Sequence, residues 1–279
     1  MSTTDGGRAA RPARRRSAAA IVAATATMLV TLLGACSSGA GGGGGASGAS
    51  ASAPSTASPT GGAAGLEGTA YRVPQSCRPL QAQPGGTLAG PALADCWGDA
   101  LEAHGSVRAW TNGPPDMEAE VVLGTSQRLR TQASDGRVVV VVDGASWSRS
   151  GDRWVAGVLN SADEDEALGA ATGEFAWATL SLEGMTRGVG ECPTWKVAAD
   201  RGPVTLHDGS ASSGLVRLDC IAPFEVMGAT TTAASLWVGT DWTPVRHAST
   251  LTLSGVAVES LVELTDHGVR FDIPVPAAQ

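Results

Sequence analysis

The sequence predicts an α+β body, a broad antiparallel sheet with one or two helices. Three observations lead there. From residue 117 onward, short runs of β-branched and aromatic residues recur between turn pairs at roughly ten-residue spacing. One clear amphipathic helical pattern precedes these runs, and one acid-rich helical pattern interrupts them. The last third of the chain alternates apolar and polar residues with few helix signals.

The first helix is predicted at residues 91–104, PALADCWGDALEAH. Leu93, Cys96, Trp97, Ala100, Leu101 and His104 share one face at i, i+3, i+4, i+7, i+8 and i+11. Pro91 stands near the start and Gly105 is placed to end it. Strands are then expected at 117–123, 127–131, 137–142 and 153–158, with turns at Asp143-Gly144 and at Ser150-Gly151-Asp152. The run RVVVVV at 137–142 suits burial on both faces.

A second helix is expected at 161–172, with Ser161 and Glu164 as a capping box. Asp163, Glu164, Asp165 and Glu166 suit the positive end of its dipole. Their spacing lacks the order of an EF-hand, so calcium is not implied. Strands follow at 235–238 and 244–253 around a turn at Gly239-Thr240-Asp241. Residues 256–264 put Val256, Val258, Val262 and Leu264 on a greasy face, and Glu259 and Glu263 on a wet one. Phe271, Ile273 and Val275 close the chain.

The N-terminal third has a different character. Arg8, Arg11, Arg14, Arg15 and Arg16 precede an uncharged run at 17–33, as in a secretion signal. That run is short for a bilayer span, which needs about 20 residues. Leu33-Gly34-Ala35-Cys36 resembles the lipobox of bacterial lipoproteins, an aliphatic residue and two small ones before a cysteine. The resemblance implies a signal peptide at 1–35 and a diacylglyceryl group on Cys36, and two acyl chains anchor where one is marginal. The alternative is an ordinary signal cut near Ala35 with Cys36 left free. Residues 36–65 then form a Gly/Ser/Ala linker with no charge and no large apolar side chain before Leu66. Such a segment is expected to be a disordered tether, spanning roughly 30 Å. Residues 66–279 are expected to be a single globular domain.

Removing residues 1–35 takes away five arginines and one aspartate, leaving 14 basic and 26 acidic residues and a net charge of −12. That balance argues against nucleic acid as a partner and against charge-driven docking on anionic lipid. Cys77, Cys96, Cys192 and Cys220 are an even set in an exported chain, which points to disulfides. Three pairings are open, and short loops favour Cys77 with Cys96 and Cys192 with Cys220. No zinc spacing or CxxC redox pair is present, so neither a metal nor a cofactor is expected.

The chemistry screen is otherwise sparse. The sequence contains no HExxH, GxSxG or P-loop. His104, His207, His247 and His267 lie far apart, and Asp266-His267-Gly268 reads as a turn rather than two members of a triad. An enzyme is therefore not expected. Of eight tryptophans, Trp97 is expected in the core. Trp147, Trp154, Trp237 and Trp242 flank turns, where they plug the ends of a barrel or, less simply, stack on sugars.

The lipobox and tether, residues 138–157 (VVVVVDGASWSRSGDRWVAG), residues 235–247 (SLWVGTDWTPVRH) and residues 265–276 (TDHGVRFDIPVP) together resemble the LppX/LprG-type lipoproteins of actinobacteria, in the LolA-like lipoprotein-carrier superfamily. The resemblance covers about residues 90–276. It implies a curved, incomplete barrel whose helices cover an apolar cavity for lipid or lipoglycan acyl chains. The implied protein is a lipid-anchored, extracytoplasmic, non-enzymatic carrier on the outer face of the cytoplasmic membrane. The alternative is an anchored interaction module for a protein or cell-wall glycan. A carrier needs an apolar hollow open to solvent; an interaction module needs a filled core and an exposed apolar patch.

Overall fold

The structure is a computed structural model that describes residues 71–113, 115–200 and 202–277. The signal segment, Cys36 and the linker expected at 36–65 lie outside the described residues. Among the described residues are 15 strands and three α-helices.

The chain enters at one edge of the main sheet. A 3-10 turn, Gln75–Cys77, and strand β1 (Thr87–Ala89) lead into helix α1 (Gly90–His104). Pro91 sits in its first turn, and Gly105 caps it at φ 76° with its N–H on the carbonyls of Leu101 and Glu102. Leu93, Cys96, Trp97, Ala100 and Leu101 are buried, the stripe that the spacing anticipates. A meander of six strands follows: β2 (Ser106–Thr111), β3 (Met117–Val122), β4 (Arg128–Ala133), β5 (Val138–Val142), β6 (Ala145–Ser150) and β7 (Arg153–Ala156). Each pairs antiparallel with the next.

Helices α2 (Glu164–Leu180) and α3 (Leu182–Glu191) return the chain to the first edge. There β8 (Thr194–Val197) pairs with β1. A small hairpin, β9 (Val204–Thr205) and β10 (Ala211–Ser212), comes next. After it come β11 (Val216–Cys220), β12 (Phe224–Val226), β13 (Ala229–Val238), β14 (Pro244–Leu253) and β15 (Val256–Thr265). The main sheet runs β1-β8-β11-β13-β14-β15-β2-β3-β4-β5-β6-β7, with β12 beside β13. Its two end strands do not meet, so the sheet is open. Register shifts along the β13–β14 ladder, at Thr231/Ala233 and Trp237/Val238, add local bend. The seam of the sheet is β15 on β2, where Val262–Thr265 pair with Thr111–Arg108.

The fold is thus the expected α+β curved antiparallel sheet, with three helices rather than one or two. Helix α2 begins later than the capping-box reading places it and runs eight residues further. Its N-cap is Asp163, whose side chain accepts from the N–H groups of Asp165 and Glu166. Ser161 instead bonds Glu166. Ser181 caps α3 through Gly184 N–H. Residues 271–275 form no strand and lie as irregular chain.

The core lies between the sheet's inner face and the helices. Trp195, Leu93, Leu101, Leu129, Leu180, Leu218, Leu236 and Leu264 are fully buried in it. Two disulfides, Cys77–Cys96 and Cys192–Cys220, fasten the entering segment to α1 and the end of α3 to β11. Each contributes about 3 kcal/mol by constraining the unfolded chain. Strand β5 is buried along its whole length because both faces are covered. Val139 and Val141 face the core. Val140 and Val142 face outward against Ile273, Phe271, Trp147 and Trp154. The closing residues therefore serve as a cover for the outer face.

Helix α2 lies almost in contact with β6. A Cβ at Gly173 would stand 2.2 Å from Ser146 Cβ. Gly173→Ala gains about 1 kcal/mol of helix propensity but overpacks the crossing by roughly 1–3 kcal/mol. The variant is expected to be the less stable protein in a urea titration; an increase in stability would show that the crossing is looser than described.

Candidate functional site

The three helices cover only part of the inner face. Helix α1 packs on α3 and reaches β2 and β14, α2 lies over β4–β7, and α3 approaches β12. Above β14 the cover stops near His247, whose Cε1 would lie 3.5 Å from a Cβ at Gly188 of α3.

Beyond that point β14 and β15 continue as a long hairpin. It turns at Ser254-Gly255, both with positive φ (50° and 81°), the geometry of a tight two-residue turn. The register pairs His247 with Val262, Ser249 with Ser260, Leu251 with Val258 and Leu253 with Val256. Paired residues share a face. Val262 packs on the core, so this whole row faces inward. The opposite face carries Thr250, Thr252, Ala257 and Glu259. Leu251 and Leu253 are half-buried and outside the packed clusters; Val256 is 61% exposed and Val258 39%. Met117, at the end of β3, borders the core side of this strip. The result is a short uncovered apolar strip at the free end of the hairpin, Leu251, Leu253, Val256 and Val258, about 7 Å long on each strand.

Two cavities among the described residues lie elsewhere and are lined largely by polar side chains. Both lie on the outer face. One, of about 50 Å³, is bordered by Arg108, Glu118, Glu120 and Arg130. The other is an open cleft of about 270 Å³ bordered by Asp200, Thr205, Leu215, Arg217, Trp237 and Arg246. Neither of these cavities is the apolar hollow that the family resemblance implies.

Glu263 was expected on a wet face. It is 1% exposed, because the β9–β10 hairpin folds over that part of the outer face. His207, between β9 and β10, donates its backbone N–H to Glu263 Oε2 at 2.6 Å, and its Nδ1 lies 3.0 Å from the same oxygen. Arg246 binds the other oxygen through Nε at 2.9 Å and through Nη2, and also donates to the Thr205 carbonyl. Trp110 stacks flat on the His207 ring at 4.7 Å. Val204, Leu206 and Leu215 complete the contact against Trp237 and Val245. A buried carboxylate is tolerable only when paired and hydrogen-bonded in this way.

The four histidines do not form one site. His104 stacks on Tyr71 at 4.0 Å and lies 4.8 Å from His267. Its Nε2 is 3.2 Å from Thr243 Oγ1. His207 is the clamp on Glu263, and His247 lies under α3. No serine is seen bonded to His267, and no group of three metal-ligating side chains occurs among the described residues. Trp97 is buried. Trp147 and Trp154 pack on the outer face of β5 and do not plug an end of the sheet. Trp195, which no periodicity singled out, is the largest fully buried side chain and donates Nε1 to the Val189 carbonyl. No described helix is long and apolar enough to cross a membrane.

No family model matches the sequence, and no curated protein matches it. Among solved structures the chain is similar to LprF from Mycobacterium bovis, at 13% identity over 68% of this chain and 97% of that one, with a TM-score of 0.43.

Burial lowers the pKa of His247 to about 4. Burial, aided by neighbouring His104, does the same to His267. The unfolded rings titrate near 6.5. Between pH 6.5 and 4 the unfolded chain therefore binds protons that the fold excludes, so stability falls as pH falls through that window. Each ring contributes at most on the order of 3 kcal/mol, less where solvent reaches it. Urea midpoints measured from pH 7 to 4 should drop, and His247→Leu should flatten the curve. An unchanged slope in the variant would show that His247 is solvated.

Proposed function

We propose that this chain is a non-enzymatic, lipid-anchored extracytoplasmic protein that holds acyl chains of a lipid or lipoglycan against the uncovered apolar strip of the β14–β15 hairpin. The observation that carries the reading is the uncovered apolar row Leu251, Leu253, Val256 and Val258. The folded chain gains nothing by leaving such a row bare, whereas each methylene seated on it is worth about 0.8 kcal/mol. The sequence adds the export signal at 1–35, lipidation of Cys36 and a tether at 36–65 carrying a domain at 66–279. That arrangement holds the strip near its cargo. The loose resemblance to LppX/LprG-type lipoproteins points the same way.

The second reading, an anchored interaction module, is favoured by the outer face of α2. Leu168 and Phe175 are 44% and 52% exposed there. Thr172 and Thr179 turn their hydroxyls back onto the carbonyls of Leu168 and Phe175, leaving the face without a charge from Leu168 to Thr179.

Native mass spectrometry of the full chain, purified from its own host, separates the two. A carrier co-purifies with lipid, and Leu251→Asp or Val258→Asp releases it while the fold persists by circular dichroism. Repeated ligand-free protein, or lipid retained equally by both variants, would overturn the carrier reading.

A further inference from the structure

The strip does not stand alone at its end of the sheet. Strand β13 runs antiparallel to β14 with Thr230 opposite Thr252, so the β12–β13 turn lies beside the β14–β15 turn. The two turns are built alike. Met227-Gly228 takes φ of 49° and 79°, and Ser254-Gly255 takes 50° and 81°. Val226 pairs with Ala229 across the first turn as Leu253 pairs with Val256 across the second. Met227 is 50% exposed. No charged residue occurs at 226–240 or at 248–258. The nearest carboxylates on these strands are Glu225, which accepts from Thr230 Oγ1 at 2.6 Å, and Glu259. Both belong to the outer face, Glu225 in the row of Thr230 and Thr252, and Glu259 opposite Thr250.

We propose that this double-turn tip seats in the surface of a lipid bilayer, with Met227, Leu253 and Val256 entering it. The inference rests on the anchored reading above, since it takes the lipid on Cys36 as given, and it names the surface against which the strip meets acyl chains. The reach of the tether carries it. Tyr71 donates its hydroxyl to the Asp241 carbonyl in the β13–β14 turn, so the N-terminal segment joins the body at the far end of β14 from the tip. The ten residues of β14 make that separation about 33 Å. Tyr71 follows Cys36 by 35 residues, and a Gly/Ser-rich coil of that length spans roughly 30–35 Å. Effective concentration is greatest when a linker's mean span matches the distance to be bridged. The match matters because the tip is small. A whole myristoyl chain binds membranes only marginally, so a few half-exposed side chains need the tether to hold them at the surface. Charge selects the tip over the outer face of α2. The tip has no charge on its turns, whereas Asp163, Glu164, Asp165 and Glu166 stand at the start of α2. The carboxylates of Glu225 and Glu259 limit the seat to the depth of the headgroup boundary, about 5–10 Å.

The test uses Met227 as its own reporter. The full lipidated chain is extracted from its host and placed in phosphatidylcholine nanodiscs, one chain per disc. Hydrogen peroxide is added, and sulfoxide at residue 227 is followed by peptide mass spectrometry. Phe175→Met supplies an exposed methionine on α2 as the internal standard. Relative to that standard, Met227 should oxidise about fivefold or more slowly in the native chain than in Val256→Asp, a change at an exposed position that leaves the fold intact. Deleting residues 41–60, which shortens the leash to 15 residues, should at least halve the protection. Phosphatidylglycerol in a third of the lipid should not increase it, because the tip offers no cation. The proposal is overturned if Met227 reacts equally fast in the native chain and Val256→Asp, if protection survives the deletion unchanged, or if phosphatidylglycerol strengthens it. Protection that appears only with several chains per disc would make the tip a self-association face and overturn it as well, as would a mature chain without acyl groups on Cys36. Native mass spectrometry keeps the two readings apart. Protected Met227 in protein that carries no bound lipid upholds docking and sinks the carrier, and bound lipid with unprotected Met227 does the reverse.

Discussion

Three helices cannot cover the inner face of this sheet. The main path contains twelve strands. At about 4.8 Å per strand it extends roughly 50 Å along its curve, whereas three helices packed 8–10 Å apart span roughly 30 Å. The strands are also unequal. β14 and β15 have ten residues each, while β2 and β3 have six. The surplus of sheet over helix has to end somewhere, and it ends at the β14–β15 hairpin, which β13 accompanies as far as Thr252 but which runs well past β2 with an uncovered apolar strip. The uncovered strip is a geometric remainder of the fold.

The outer face meets the same problem with other means. An antiparallel sheet can leave one face wet, yet here two covers are laid on it. The closing segment with Phe271 and Ile273 packs on Val140 and Val142. The β9–β10 hairpin packs on Trp237 and Val245. The second cover encloses Glu263. Removing a partner from a buried carboxylate is far more damaging than never burying it, so Arg246 and His207 are bound into the architecture. The same bonds position the cleft beside Trp237.

Much of the fold was legible because its signals are local. The stripe Leu93–Leu101 with Gly105 after it, the Asp143-Gly144 turn, and the bounds of the strand beginning at Pro244 all follow from propensity and period. What was not legible depends on partners distant in sequence. The strand at Ser106–Thr111 is set by its pairing with the chain's last strand, more than 150 residues away. Helix α3 contains three glycines, poor helix formers; Gly184 lies close against α2 and Gly190 against Ala94 of α1, while Gly188 faces His247 of β14. The alternation at 256–264 correctly identified a strand and its two faces, with Leu264 buried and Glu259 exposed, but not the environment of three of its residues. Val256 and Val258 are exposed and Glu263 is buried, because burial was decided by where the helices stop and where β9–β10 lands. The candidate site followed the same rule. Apolar residues on one face were visible in the sequence; that nothing covers them was not.

The account is tested most directly by asking where a fatty acyl chain touches the protein. A photoreactive fatty acid is incubated with the full chain, irradiated, and the labelled peptide sequenced by mass spectrometry. Label concentrated on Leu251, Leu253, Val256 and Val258 is the expected result. Label confined to the outer face of α2 around Phe175, or spread evenly over the surface, would contradict it.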